Sequence, residues 1–162
     1  SASIGQGDSA NALGESAKQA EYRAWWQPVL EIKFDDPDQE APKLFWPNNV
    51  RAALPWPQTW ILVFRVGGDS GKIGVCIAGR TAAYVELISA LTPIKDEIVA
   101  ALPSGSDYQK FNSGNGYTFN ISRNAADFES ESEKRDWLKS VLNSYVNVLR
   151  PRIKGLMLTN RT

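Results

Sequence analysis

Thr59-Trp-Ile-Leu-Val-Phe-Arg-Val66 and Lys72-Ile-Gly-Val-Cys-Ile-Ala-Gly79 decide how this chain folds. Both are rich in β-branched and aromatic residues. The residues between them, Gly67-Gly-Asp-Ser-Gly71, have the length and composition of a hairpin turn. The first run is apolar on both faces apart from Arg65, which predicts a central strand covered on both sides. In the second run Gly74, Cys76 and Ala78 share a face, where their small size would let a helix pack closely.

Outward from the hairpin, apolar residues at Tyr84, Leu87, Ile88, Leu91, Ile94, Ile98 and Leu102 keep helical phase through Pro93. Either one helix kinks there, or Thr92 caps a second helix with Pro93 in its first turn. Tyr108–Asn112 and Tyr117–Arg123 read as two further strands around Ser-Gly-Asn-Gly. In the latter, Tyr117, Phe119 and Ile121 alternate with Thr118, Asn120 and Ser122. A last helix over about 130–149 carries Trp137, Leu138, Val141, Leu142, Tyr145, Val148 and Leu149 on one face, and Pro151 should end it. Upstream, Tyr22, Trp25, Trp26, Val29 and Leu30 mark a helix over about 15–30 that Pro28 should bend or end. Glu31–Glu40 is an acidic segment expected to be a solvated loop. Pro37, Pro42, Pro47, Pro55 and Pro57 make the following stretch unfit for a central strand, because proline offers no donor to the ladder. The order is α+β, with a mostly antiparallel sheet of about four to five strands packed by three helices. Residues 1–20 read as a linker or cloning scar, 21–153 as one domain, and 154–162 as a basic tail. The missing initiator Met suggests a domain cut from a longer protein, or a removed tag.

Composition narrows the chemistry. The chain has 162 residues, 18 basic against 18 acidic, and no histidine. Balanced charge disfavours polyanion binding by bulk charge. Without histidine there is no Ser-His-Asp or Cys-His nucleophile and no His-ligated zinc. Cys76 is the single cysteine and sits in an apolar run, so it reads as a small buried hydrophobe. One thiol suits a reducing cytosol, no apolar stretch is long enough to span a membrane, and no secretory leader is visible. A cytoplasmic protein is expected. No cofactor or metal is expected either, and oligomeric state is not legible.

Several short motifs offer themselves for chemistry. Glu31-Ile-Lys33 has the E-x-K spacing of restriction-type nucleases, where a strand presents a carboxylate to Mg²⁺ and a lysine to the attacking water. The second acid such a site needs is missing from any preceding strand. Asp35, Asp36, Asp38 and Glu40 lack the glycine and ligand spacing of a calcium loop. Gly67–Lys72 resembles a phosphate loop only faintly: it is a residue short and leads into a strand, so it reads as a hairpin turn. Tryptophan is the outlier, with six residues where an average domain of this size carries about two. Phe45-Trp-Pro-Asn-Asn and Leu54-Pro-Trp-Pro-Gln-Thr-Trp60 place aromatics beside stiff prolines. Such a segment either stacks bases or docks a peptide, or else tucks Trp46 and Trp56 over the open end of the core. Arg65, Arg80, Lys110 and Arg123, together with Lys72, lie on or beside strands and are candidates for one phosphate-contacting face.

Tyr22-Arg-Ala-Trp25-Trp26, the hairpin 59–79, Tyr84-x-x-Leu87, Lys95-Asp-Glu97-Ile98, Ile121-Ser122-Arg123 and Glu133-x-x-x-Trp137-Leu138 occur in this order. In that order they resemble an uncharacterised prokaryotic domain family, found C-terminal in restriction or nuclease-associated and phage-defence proteins. The likeness spans roughly 21–153. Two departures stand out: Asn124 follows Ser122-Arg123 where the family has an aliphatic residue, and the Trp-Pro stretch is longer than the family's short first strand. The resemblance implies the company of DNA-processing proteins and carries over no catalytic residue. Three expectations follow. The first is a non-catalytic recognition module binding DNA, with Arg65, Arg80, Lys110 and Arg123 on phosphate and Trp46, Trp56 and Trp60 stacking. The second is a module docking another domain or subunit through the Trp-Pro loop. The third is a Mg²⁺-dependent nuclease using Glu31 and Lys33.

Overall fold

The computed structural model describes residues 16–110 and 116–160. In chain order these form α1 (Ala17–Leu30), β1 (Lys43–Phe45), β2 (Asn49–Ala53), β3 (Thr59–Val66), β4 (Lys72–Gly79), α2 (Thr81–Leu91), α3 (Lys95–Ala101), β5 (Asp107–Lys110), β6 (Tyr117–Asn124) and α4 (Glu131–Asn160). The class is α+β. One antiparallel six-stranded sheet runs in the order β1-β2-β3-β4-β6-β5. Helical material falls in three stretches, because α2 and α3 follow one another through a 3₁₀ turn at Thr92–Ile94. Thr92 does not cap α3; its hydroxyl lies against the Ile88 carbonyl and the Tyr108 hydroxyl.

The hairpin forms as its sequence demands, in register from Thr59↔Gly79 to Val66↔Lys72. Gly67 and Gly68 turn it at φ 78° and 62°, left-handed backbone that glycine adopts without a Cβ penalty. The phosphate-loop likeness therefore resolves into a hairpin turn.

The sheet has more strands than expected because the proline-rich stretch is not all loop. Its prolines bracket β2, leaving Asn49–Ala53 free to pair with β1 on one side and β3 on the other. Pro47 lies in the β1–β2 turn, while Pro55 and Pro57 lie in the connection to β3. No ladder donor is lost.

Side-chain parity sorts the sheet into two unlike faces. Val50, Ala52, Ile61, Val63, Ile73, Val75, Ile77, Phe119 and Ile121 lie on one face and enter a single core with the helices. From the helices come Trp26, Leu87, Leu91, Ile98, Leu138, Leu142, Tyr145 and Leu149, all fully buried. Phe45, Arg51, Trp60, Leu62, Phe64 and Cys76 lie on the other face, and none of them belongs to that core. Phe45 and Val66 on that face are exposed. β3 is thus central in the sheet but covered on one side only. The small residue at Gly74 serves the approach of β6 rather than of a helix: a Cβ there would collide with the Ile121 carbonyl oxygen and stand 3.0 Å from the Phe64 ring.

The two ends of the charge distribution meet. The segment read as a solvated acidic loop is fastened to α4, with Lys154 of the expected basic tail among the contacts. Arg150 Nε donates to Asp36 at 2.9 Å, and Arg150 Nη1 donates to Gln39 at 3.1 Å. Lys154 reaches Asp38 at 3.3 Å, while Asn143 and Asn147 donate to Asp35. These contacts explain why Pro151 does not end α4. An interior proline costs about 3 kcal/mol, but Ile153 is fully buried and Arg152 bonds both Glu97 and the Val148 carbonyl. The helix continues to Asn160. At the other terminus a Ser16–Gln19 capping box starts α1 inside the expected linker. Residues 1–15, 111–115 and 161–162, with the rest of that linker, the expected end of the 108–112 strand, most of the expected Ser-Gly-Asn-Gly turn and the end of the tail, lie outside the described residues.

Asp36 is held below its ordinary value of 3.8, chiefly by the Asp38 backbone N–H and then by Arg150 and Lys154 against a desolvation penalty. A carboxyl lowered on folding contributes stability that is present above the unfolded value and lost as pH falls through the folded one. Asp36→Asn should therefore lower the urea midpoint at neutral pH with an unchanged slope. The gap to the parent should close on acidification below the ordinary carboxyl value of 3.8. Urea titrations across this range check it, and a gap that stays constant with pH would show that the carboxylate's charge is not what holds the loop.

Candidate nucleic-acid interface

The uncovered face carries an aromatic sandwich at its β1–β3 end. Register places Phe45 opposite Asn49 on β1–β2, and Arg51 beside Leu62 on β2–β3. The Arg51 guanidinium lies 4.0 Å from the Phe45 ring centroid and 4.2 Å from that of Trp60. Both are close cation–π stacks. A hollow of about 220 Å³ opens here, lined by Lys43, Phe45, Arg51 and Trp60, with Glu40 among its walls. Burial is the main cause depressing the Arg51 pKa, and the nearby positive charge of Arg80 adds to it. Arg80 follows β4 with the parity of this face, and Lys43 and Lys72 share it by register. Asp107 on β5 is the acid that the strands place there.

Polar groups on this face are incompletely satisfied. Among the described residues, the buried side-chain atoms lacking a hydrogen-bond partner are Asn49 Oδ1, Arg51 Nε and Asn120 Nδ2. All three belong to residues of the uncovered face, since Asn120 pairs with Cys76 and Asn49 with Phe64. Buried polar atoms usually find partners; here Asn49 and Arg51 lie two residues apart on β2, and Asn120 lies across β3 and β4 on β6. Arg51, Leu62, Cys76 and Asn120 form one row across four strands, about 14 Å long at ordinary strand spacing. Cys76 itself is not reactive chemistry: burial pushes its thiol up to about 12.

The residues singled out in the sequence separate. Trp60 and Arg80 belong to the uncovered face. Trp56 is a core residue, 9% exposed, and its carbonyl accepts the buried Thr59 hydroxyl. Trp46 is 58% exposed and rests against Tyr22 at 5.9 Å. Arg65 and Arg123 flank Ile73 in one row, but on the helix side, where Arg65 stacks on Trp25 and Arg123 on Phe128. Lys110 lies on edge strand β5 with helix-side parity. The four basic residues therefore do not converge. Arg51, Phe45, Phe64 and Lys43 were missed because their shared face depends on β2, a strand hidden between prolines. Glu31 stands at the C-cap of α1 and Lys33 in the irregular chain beyond, with no strand to present them. Among the described residues no cluster of three metal-ligating side chains occurs.

These placements give a measurable contrast between two tryptophans that flank β2. Trp56→Ala should cost about 3–5 kcal/mol, as expected for deleting a buried aromatic. Trp46→Ala should cost less than about 1.5 kcal/mol, the upper range for one aromatic pair. Chemical denaturation of both variants tests this, and equal losses would contradict the core assignment of Trp56. Set against known proteins, no family model, no curated protein and no solved structure matches this chain.

Proposed function

We propose that this chain is a non-catalytic recognition module that binds single-stranded nucleic acid across the uncovered face of its sheet. The observation that carries this reading is the Phe45–Arg51–Trp60 sandwich, which leaves Arg51 Nε without a partner. The Phe45 and Trp60 rings on an open sheet offer stacking surfaces that accept any base. Lys43, Lys72 and Arg80 around them supply phosphate contacts, and Asn49 and Asn120 supply polar edges. A duplex keeps its bases stacked and hides their π faces, so a single strand suits these groups better. Local charge also suits a chain whose basic and acidic residues balance in sum, because only one face needs to be positive. We further propose a setting in DNA processing or phage defence, as the family likeness read from the sequence implies, with this domain recognising and a partner domain cutting.

Fluorescence anisotropy with 5′-hydroxyl oligonucleotides tests the proposal. Single strands should bind more tightly than the matched duplex, with affinity falling as salt rises. Arg51→Ala and Trp60→Ala should each weaken binding by about 5- to 150-fold, the equivalent of the 1–3 kcal/mol assigned to one stacked base. Arg123→Ala, on the helix side, should bind as the parent does. Absence of binding at low salt, or equal loss in all three variants, would overturn the assignment to this face.

A second reading keeps one specific observation. Trp46, exposed on Tyr22, suits docking of another domain or subunit. In that case Trp46→Ala, and not Arg51→Ala, abolishes capture of the partner.

A further inference from the structure

A groove of about 640 Å³ opens on the helix side, at the hairpin end of the sheet, between α1, the Gly67–Ser70 turn and Ala125. Its size falls within the range of small-molecule sites. Tyr22, Ala24 and Trp25 give it an apolar wall, and Arg65 faces it from β3.

Arg65 is the cation in this groove whose hydrogen-bonding capacity is unspent. Its guanidinium lies 3.8 Å from the Trp25 ring centroid, which covers one flat side and leaves the N–H edges available. Among the described residues no carboxylate or carbonyl accepts a hydrogen bond from it. The other lining cations are engaged: Lys18 lies 3.7 Å from Glu21, and Lys134 lies 2.7 Å from Glu131. Glu131 is further occupied by the Trp25 indole N–H at 2.9 Å. Burial is the main influence on Arg65 and disfavours its charge, while Glu131, Tyr22, Arg135 and Glu21 act on it through longer-range fields. Asp69, the remaining acid, stands on the exposed turn, where water and salt screen it. A half-buried arginine with free N–H edges, beside aromatic rings and in a groove of ligand size, has the recognition chemistry of an oxyanion site.

We propose that this groove binds a small organic oxyanion, a carboxylate or a phosphate monoester, gripped by the Arg65 fork with its apolar body against Tyr22 and Ala24. The site is separate from the uncovered sheet face, since Arg65 has the opposite side-chain parity to Arg51.

Titration calorimetry on the whole chain tests it with benzoate, phenyl phosphate and inorganic phosphate. At least one organic probe should bind, and the tighter of the two assigns the head group. Arg65→Gln should weaken that probe by about 10- to 150-fold, the loss of a charge-assisted pair of hydrogen bonds. Arg65→Lys, which keeps the charge but loses the fork, should fall between. Arg51→Ala should bind as the parent does, which separates this site from the nucleic-acid face. No heat from any probe up to about 10 mM, equal binding by Arg65→Gln, or inorganic phosphate matching phenyl phosphate would each overturn the proposal. If circular dichroism finds Arg65→Gln unfolded, Arg65→Lys decides the matter, with unchanged affinity overturning it.

Discussion

One-sided burial of the sheet is the constraint on which everything else here depends. A six-stranded antiparallel sheet must cover at least one face to hold a core, and this one places all of its described helices on the same side. That choice makes Ile61, Val63, Ile73, Val75 and Ile77 a floor for α4 and its neighbours. It also leaves their alternates, from Phe45 and Arg51 to Phe64 and Asn120, as a surface. A strand cannot bury one set of side chains without presenting the other.

The clamp between residues 35–39 and α4 serves the same end. α4 is the longest element, and its last turns lie beyond Pro151, where an isolated helix would be interrupted. Arg150 is 7% exposed and is satisfied by Asp36 and Gln39, so its charge is buried with partners and not alone. The chain between α1 and β1 is thereby tied down where it passes α4, which delivers β1 to the edge of the sheet. Without β1, Phe45 would not reach Arg51, and the aromatic sandwich would lack one side.

The two surfaces of interest differ in kind. On the uncovered face, rings, guanidinium and orphaned polar atoms spread over several strands, which suits an extended ligand. On the helix side a single arginine stands in a bounded groove, which suits a small one. Both rely on arginine stacked against aromatics, and that accounts for part of the tryptophan surplus. Trp25 and Trp60 support guanidinium groups, whereas Trp26 and Trp56 belong to the core.

Much of the fold was legible from local pattern. The apolar runs 59–66 and 72–79 with their glycine turn, the helical stripes around Leu87 and Leu142, and the alternation at Phe119 and Ile121 determine the elements and the α+β class. Their periodicity depends only on backbone geometry and the exclusion of apolar surface from water. Tertiary structure decided the rest. β2 became visible only once β3 offered it a register, because its prolines masked a short strand. Which parity of the sheet stays uncovered is a choice among packings that β3, apolar on both faces, does not encode locally. The acidic and basic segments, more than a hundred residues apart in sequence, neutralise one another only when the fold brings them together. A charge reads the same in sequence whether its partner is water or an arginine from the far end of the chain.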